Sequence, residues 1–206
     1  MADGHVLVTG FEPFGGDTAN PSQEVAKALD GRRVGDAVIR GLILPVQHEE
    51  ARATLEPALA AAELRAVVLL GLAGGRMRVA LERAALNVME YPQPDNRGDV
   101  VRGAPCAPDG PAAYWSTLPL PAILEAFTAE GIPAYVSNTA GTFLCNYTLY
   151  AALHALGARA RRVPTGFIHF PYLPSMVASH AVDEPSMDLP LLIRAAEIAA
   201  TVSLAP

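Results

Sequence analysis

Short, almost wholly apolar runs alternate with longer stretches of helical period, and this alternation restricts the fold more than any other feature of the chain. HVLVTGF at 5–11 reads as a strand buried on both faces. Asn20-Pro21-Ser22-Gln23 then opens a helix that runs to Leu29. Asn is a good N-cap, Pro suits the first helical position, and Gln can complete a capping box. A second strand is predicted over 38–44, and a second helix over 49–64 with Pro57 as a kink or break. The third strand, 66–72, runs into the glycine-bearing loop Gly71-Leu72-Ala73-Gly74-Gly75. Further on, 79–89 holds one or two strands. The 90–112 stretch, with Pro92, Pro94, Pro105, Pro108 and Pro111, reads as loops with room for a short edge hairpin. Helices over 120–130, 144–156 and 189–203 and strands over 134–138 and 165–170 complete the pattern, with Gly131 and Gly157 as helix stops. Strands separated by helices imply an α/β fold with a mostly parallel sheet covered on both faces. Its sites form in the loops beyond the carboxyl ends of the strands, here those after 5–11, 66–72, 134–138 and 165–170.

Composition narrows the function. A chain of 206 residues suits one domain, and can bury about 70% of its unfolded surface without a metal or disulfide staple. The 15 basic and 21 acidic residues leave a net charge of −6, with no basic run longer than Arg32-Arg33 or Arg161-Arg162, so nucleic acid is not an expected partner. Two cysteines exclude a disulfide framework and a paired-CxxC zinc site. Met1-Ala2-Asp3-Gly4-His5 lacks the basic start of a secretory signal. The longest apolar run, 66–73, falls far short of the ~20 residues that cross a bilayer. The expectation is a cytoplasmic protein without a membrane partner.

Two loops carry a possible nucleophile and its base. In Ser137-Asn138-Thr139-Ala140-Gly141-Thr142-Phe143-Leu144-Cys145-Asn146 a strand passes through small residues into a helix, and Cys145 falls in the first helical turn. Unpaired N–H groups and the helix dipole there favour a thiolate, lowering its pKa, and the same N–H groups can hold an oxyanion. The competing reading is an inert, buried thiol. His169 ends the strand Gly166-Phe167-Ile168-His169-Phe170-Pro171, and a parallel return of that strand places it at the edge of Cys145. A core histidine bonded to a carbonyl is its alternative. Glu82 and Asp95 both qualify as the group that orients the imidazole, and spacing does not choose between them. His5 begins a strand, His154 lies within a helix, and His48 and His180 fall in polar surface contexts. Cys106, in Ala104-Pro105-Cys106-Ala107-Pro108, reads as an exposed bystander, or as part of a subunit contact. Gly74-Gly75-Arg76 looks like a phosphate cradle, yet neither GxxxxGK[ST] nor GxGxxG is present.

Taken together these motifs resemble the type I pyroglutamyl peptidases, cysteine exopeptidases that remove an N-terminal pyroglutamyl residue. The resemblance covers nearly the whole chain. It runs through Val8 to Gly16 with Asn20-Pro21-Ser22, Gly71 to Arg76 with Glu82-Arg83 and Asn87, and Pro94-Asp95-Asn96. It continues through Gly110 to Tyr114, Ser137 to Asn146, and Gly166 to Pro174. It implies Cys145 as nucleophile, His169 as base and Glu82 as the orienting carboxylate. Phe11, Phe14 and Phe143 would hold the pyroglutamyl ring, with the Leu72 backbone helping at the lactam, and Asp95 and Asn20 in support. It further implies a three-layer α/β/α sandwich around a twisted, mixed sheet, a homo-oligomer (often a tetramer), and no metal or organic cofactor. Two positions depart from the family pattern. Leu72 replaces a Gln, and Pro92 replaces an Arg three residues before Asp95 that supports the oxyanion. Loss of one such donor costs about 2.7–4 kcal/mol. That loss motivates a second reading, a pyroglutamyl-peptide-binding protein with weak turnover. A third, a nucleoside phosphorylase-like enzyme, would need Arg76 and Arg83 to form a phosphate site.

Overall fold

A computed structural model describes residues 4–178 and 180–205. Met1-Ala2-Asp3, read above for a targeting signal, lies outside them. The elements in chain order are β1 (His5–Phe11), α1 (Pro21–Leu29), β2 (Arg33–Val34), β3 (Ala37–Leu44), α2 (His48–Ala60), β4 (Leu64–Leu72), β5 (Val79–Glu82) and β6 (Ala84–Leu86). They continue as β7 (Ala113–Trp115), α3 (Leu120–Ala129), β8 (Ala134–Ser137), α4 (Leu144–Ala158), β9 (Thr165–Phe170), α5 (Pro174–Val177) and α6 (Leu189–Val202). Seven strands form one sheet in the order β2-β3-β1-β4-β9-β5-β8, and β6 pairs with β7 in a separate ribbon.

The sheet is mixed. β3, β1, β4 and β9 run parallel, so the ends of β1, β4 and β9 share one edge. β2 is antiparallel to β3, β5 is antiparallel to β9, and β8 follows β5. The expected parallel return from β8 through α4 to β9 is therefore corrected: β5 lies between them, and β8 points the opposite way to β9. The loop after β8 must carry the chain back before α4 begins. It is pinned on the way, with Glu90 N–H donating to Thr142 O at 3.0 Å and Thr142 Oγ1 donating to Glu90 O at 2.7 Å.

Two apolar layers sandwich the sheet, and strand alternation decides which side chain enters which. Val6, Val8, Val68, Leu70, Leu81 and Ile168 face α1, α3 and α6. Leu7, Val67, Leu69 and Phe167 face α2 and α4. His169 and Glu82 share the α4 side, being two residues from Phe167 and opposite it in register, respectively. α1 begins with Asn20 as N-cap and Pro21 in its first turn, as the sequence predicts, with Asn20 Oδ1 accepting from Ser22 N–H at 3.1 Å and from Ser22 Oγ at 2.8 Å rather than from the capping-box position Gln23. Ser22 Oγ in turn accepts from Phe11 N–H at 3.0 Å, and Asn20 Nδ2 donates to Glu12 O at 3.1 Å, so one buried cap ties α1 to the end of β1. Contrary to expectation, α2 ends at Ala60, four residues early, and Pro57 lies inside it without breaking it. Gly157 is likewise inside α4 rather than its stop. The 90–112 loop forms no hairpin of its own beyond an isolated Met89–Ala104 bridge, because β6 pairs with 113–115 instead.

Packing at two glycines generates a paired prediction. A Cβ on Gly10 would lie 2.1 Å from Ser22 O and 2.7 Å from Gln23 N, both backbone atoms of α1. Gly10→Ala is therefore expected to destabilise the fold by about 2 kcal/mol or more. A Cβ on the helical Gly157 meets nothing within 4 Å, so Gly157→Ala should stabilise by about 0.5–1 kcal/mol. Urea midpoints of the two variants against the parent measure both; equal midpoints would contradict the packing.

Candidate active site

The site is assembled by three neighbouring strands and the start of one helix. Glu82 ends β5, His169 precedes the last residue of β9, and their side chains meet on the α4 face of the sheet. His169 Nδ1 and Glu82 Oε1 are 2.7 Å apart. A carboxylate partner requires the proton on Nδ1, which leaves Nε2 as the basic nitrogen. Both residues are buried, Glu82 completely. A second donor reaches the same oxygen: Arg76 Nη1 lies 2.7 Å from Glu82 Oε1. Glu82 Oε2 is buried with no hydrogen-bond partner.

Cys145 arrives from above the sheet. Phe143 is the N-cap of α4 and provides no side-chain cap, so the first-turn N–H groups are not taken by a capping side chain. Gly71 of β4, the register partner of His169, lets the thiol settle against the sheet. A Cβ on Gly71 would lie 2.9 Å from Cys145 Sγ and 2.7 Å from the Phe167 ring. The next residue locks the helix start: Asn146 Oδ1 accepts from Leu86 N–H at 2.8 Å, and its Nδ2 donates to Leu86 O at 2.9 Å and Val88 O at 3.0 Å. Sequence reading gave Asn146 no role. Its adjacency to Cys145, as an amide in the first turn of a largely apolar helix, is the signal that could have found it.

The electrostatics correct one expectation. Burial, with the Glu82 charge adding to it and Arg76 opposing, pushes the Cys145 thiol up to about 12. Desolvation therefore outweighs the helix N-terminus, and the resting group is a thiol rather than a preformed thiolate. Burial also lowers His169, against the opposing pull of Glu82, and Arg76 lowers it further. For Glu82, burial pushes upward, but the hydrogen bond and charge of His169, with Ser137 and Arg76, hold it below the usual carboxylate range. The pair at rest is a neutral imidazole beside an ionised carboxylate.

The remaining predicted residues divide. The half-buried Phe14 and Phe143 rings stand 6.3 Å apart, and Tyr91 meets Phe143 edge-on at 4.7 Å. Phe11 is buried in the same apolar cluster. Leu72 turns its side chain into the opposite layer, leaving only its backbone on the site side. Asp95 shapes its own loop, its Oδ1 accepting from Arg97 N–H at 2.9 Å and Asp99 N–H at 3.0 Å, and the carboxylate that meets His169 is Glu82 instead. That loop is docked beside β1 by Asn96, whose Nδ2 donates to Glu12 Oε1 and Pro13 O, each at 2.9 Å. Asn20 serves as the α1 cap, its side chain bonded to Ser22 and Glu12 O. Pro92 is exposed and Arg83 is exposed, while Arg76 is committed to Glu82, so no two-arginine phosphate site forms.

Two further expectations are corrected. Cys106 is half-buried rather than exposed, because Asn87 Nδ2 ties its loop down through Ala107 O at 2.8 Å and Gly110 O at 3.1 Å. Burial pushes its thiol up to about 11. His48 is not in a polar surface context either; it packs edge-on against Tyr91 and Tyr147. Among the described residues no group of three or more His, Cys, Asp or Glu side chains is placed to hold a metal, and no helix is long and apolar enough to cross a membrane.

The sequence pattern of the pyroglutamyl peptidase family matches residues 4–205. A pyrrolidone-carboxylate peptidase of Enterobacter sp. (strain 638) is 46% identical over 200 residues, spanning 97% of this chain and 92% of that protein. The pyrrolidone-carboxylate peptidase of Pyrococcus furiosus is 41% identical over 202 residues, spanning 97% of each. The crystal structure of pyrrolidone carboxyl peptidase from Pyrococcus furiosus superposes with a TM-score of 0.94 at 40% identity, covering 97% of this chain and 98% of that one. That of Thermococcus litoralis gives 0.93 at 39% identity, covering 98% and 93%. A cysteine–histidine–glutamate arrangement on a mixed three-layer α/β/α sandwich, matched from end to end, leads to one conclusion: the chain belongs to the pyroglutamyl peptidase family.

Proposed function

We propose that this enzyme hydrolyses the bond after an N-terminal pyroglutamyl residue, with Cys145 as nucleophile, His169 as general base and acid, and Glu82 as the group that orients the imidazole. The observation that carries the reading is the buried Glu82–His169 pair beside a cysteine at an uncapped helix start. Because the thiol rests protonated, its proton passes to His169 Nε2 as sulfur attacks the carbonyl, rather than beforehand. The developing imidazolium is stabilised by Glu82, and the oxyanion by backbone N–H groups at the start of α4. With Pro92 bringing no side-chain donor, those N–H groups bear that load. His169 then protonates the leaving amine and activates the water that releases the acyl group.

The pyroglutamyl ring is neutral and flat. Phe14 and Phe143 offer it apolar faces, braced by Tyr91 and with Phe11 beneath, and the backbone at Leu72 can pair with the lactam. No charged anchor is needed, since the substrate has no free α-amine. We read the enzyme as a cytoplasmic homo-oligomer acting on N-terminally pyroglutamylated peptides, without nucleic acid or membrane partners; light scattering on the purified protein checks the assembly.

Cys145→Ala is expected to lower turnover of a fluorogenic pyroglutamyl amide by about 10³-fold or more, while Cys106→Ala leaves it within about twofold. Glu82→Gln should cost at least about 10²-fold, chiefly in kcat. Full activity in Cys145→Ala would overturn the assignment.

Stability should follow the same groups. Glu82 and His169 are held below their ordinary values, so on acidification the unfolded chain takes up protons that the folded chain refuses, and stability falls below about pH 6.5. Cys145 is raised, so the unfolded chain loses a proton first, and stability falls as pH rises above about 8.5. Thermal melts across pH should show both limbs, with the alkaline one reduced in Cys145→Ala.

A further inference from the structure

The glycine loop after β4 contributes a side chain that the catalytic roles above leave unused. Arg76 Nη1 and His169 Nδ1 each lie 2.7 Å from the same carboxylate oxygen, Glu82 Oε1. Oε2 has no hydrogen-bond partner, although Ser137 stands opposite Glu82 in register; the Ser137 hydroxyl is directed at Thr139 O, 3.3 Å away. Two donors, His169 and Arg76, thus converge on one oxygen of a fully buried carboxylate, and Ser137 helps them hold it ionised. Only one of them carries a charge at rest, because a neutral imidazole is what a base must be.

We propose that Arg76 is a positioning residue of this active site: its guanidinium keeps Glu82 ionised and aimed at His169 Nδ1, and so sets the pH at which the pair takes up a proton. This rests on the roles assigned above to Cys145, His169 and Glu82. The ionisable or polar groups facing the imidazole–carboxylate pair are Arg76 from the loop after β4, Cys145 from α4 and Ser137 from β8. Of these, Arg76 alone is permanently charged.

The sign follows from either partner. Without the guanidinium, His169 loses a repelling positive neighbour and binds a proton more readily. Glu82 loses its compensating charge and does the same. Because the two share a hydrogen bond, they titrate as a unit, and the first proton uptake of the unit moves to higher pH whichever atom receives the proton. A pair that already holds that proton cannot accept another from Cys145, so activity would be lost on the acid side. Arg76 is half-buried, reaching inward from the rim with its stem in the loop and its head on Glu82, which suits control of charge rather than contact with reacting atoms.

A ring-nitrogen NMR titration of His169, assigned by the signal lost in His169→Asn, tests the proposal directly in the full-length protein. In Arg76→Met the proton uptake should move up by about one pH unit or more. The acid limb of kcat for a pyroglutamyl amide should move with it, lowering the rate about tenfold per unit below the limb while KM stays within about twofold. Arg76→Lys should return both towards the parent, and it keeps the test open if the uncharged variant does not fold. An unchanged titration in folded Arg76→Met, or an Arg76→Lys protein that titrates unlike the parent, would overturn the proposal. Cys145→Ala separates this from the underlying assignment. If that variant retains hydrolysis, the nucleophile is wrong; if it is inactive while Arg76→Met titrates as the parent does, only the role of Arg76 falls.

Discussion

The hydrogen bond between Glu82 and His169 is the interaction on which the rest of the structure depends. It exists because β5 runs against β9, which puts Glu82 opposite Phe167 and within reach of the ring two residues further on. The bond also demands its surroundings. A buried charge must be compensated, and here a second donor, Arg76, reaches down from the rim.

Around that pair the local sequence is arranged for close approach. Gly71 removes a side chain where Cys145 and Phe167 would collide with it, and Asn146 anchors the start of α4 to the backbone of β6. The thiol is thereby held over the sheet at the price of desolvation, which keeps it protonated until a base is engaged. This links packing to mechanism: the dryness that orders the site also makes proton transfer part of the attack.

Much of this was legible in the residues. The apolar runs at 5–11, 66–72 and 165–170 are strands because their composition suits burial on both faces. Asn20-Pro21 starts α1 because cap chemistry is local. The nucleophile and base could be named from the strand-to-helix passage at Cys145 and the strand end at His169. The choice of Glu82 over Asp95 could not be made from spacing, since it depends on the direction of β5, a long-range pairing; the family resemblance supplied it. The two-residue β2 and three-residue β7 carry too few residues for a pattern. Pro57 does not break α2, because tertiary packing of α2 against α4 overrides a single local penalty. Cys145 was expected to ionise easily because the helix start is visible in sequence, whereas the burial that opposes it is not. The role of Arg76 is hidden for a similar reason: the glycines that give its loop the look of a phosphate cradle are local, and its partner on β5 is not.

The most direct measurement is the identity of the covalent intermediate. Acid quench of the enzyme during turnover of an activated pyroglutamyl ester, followed by peptide mapping and mass spectrometry, should place a pyroglutamyl group on the peptide containing Cys145. An acyl group on Cys106, or turnover of the ester with no acylated cysteine at any quench time, would contradict the account.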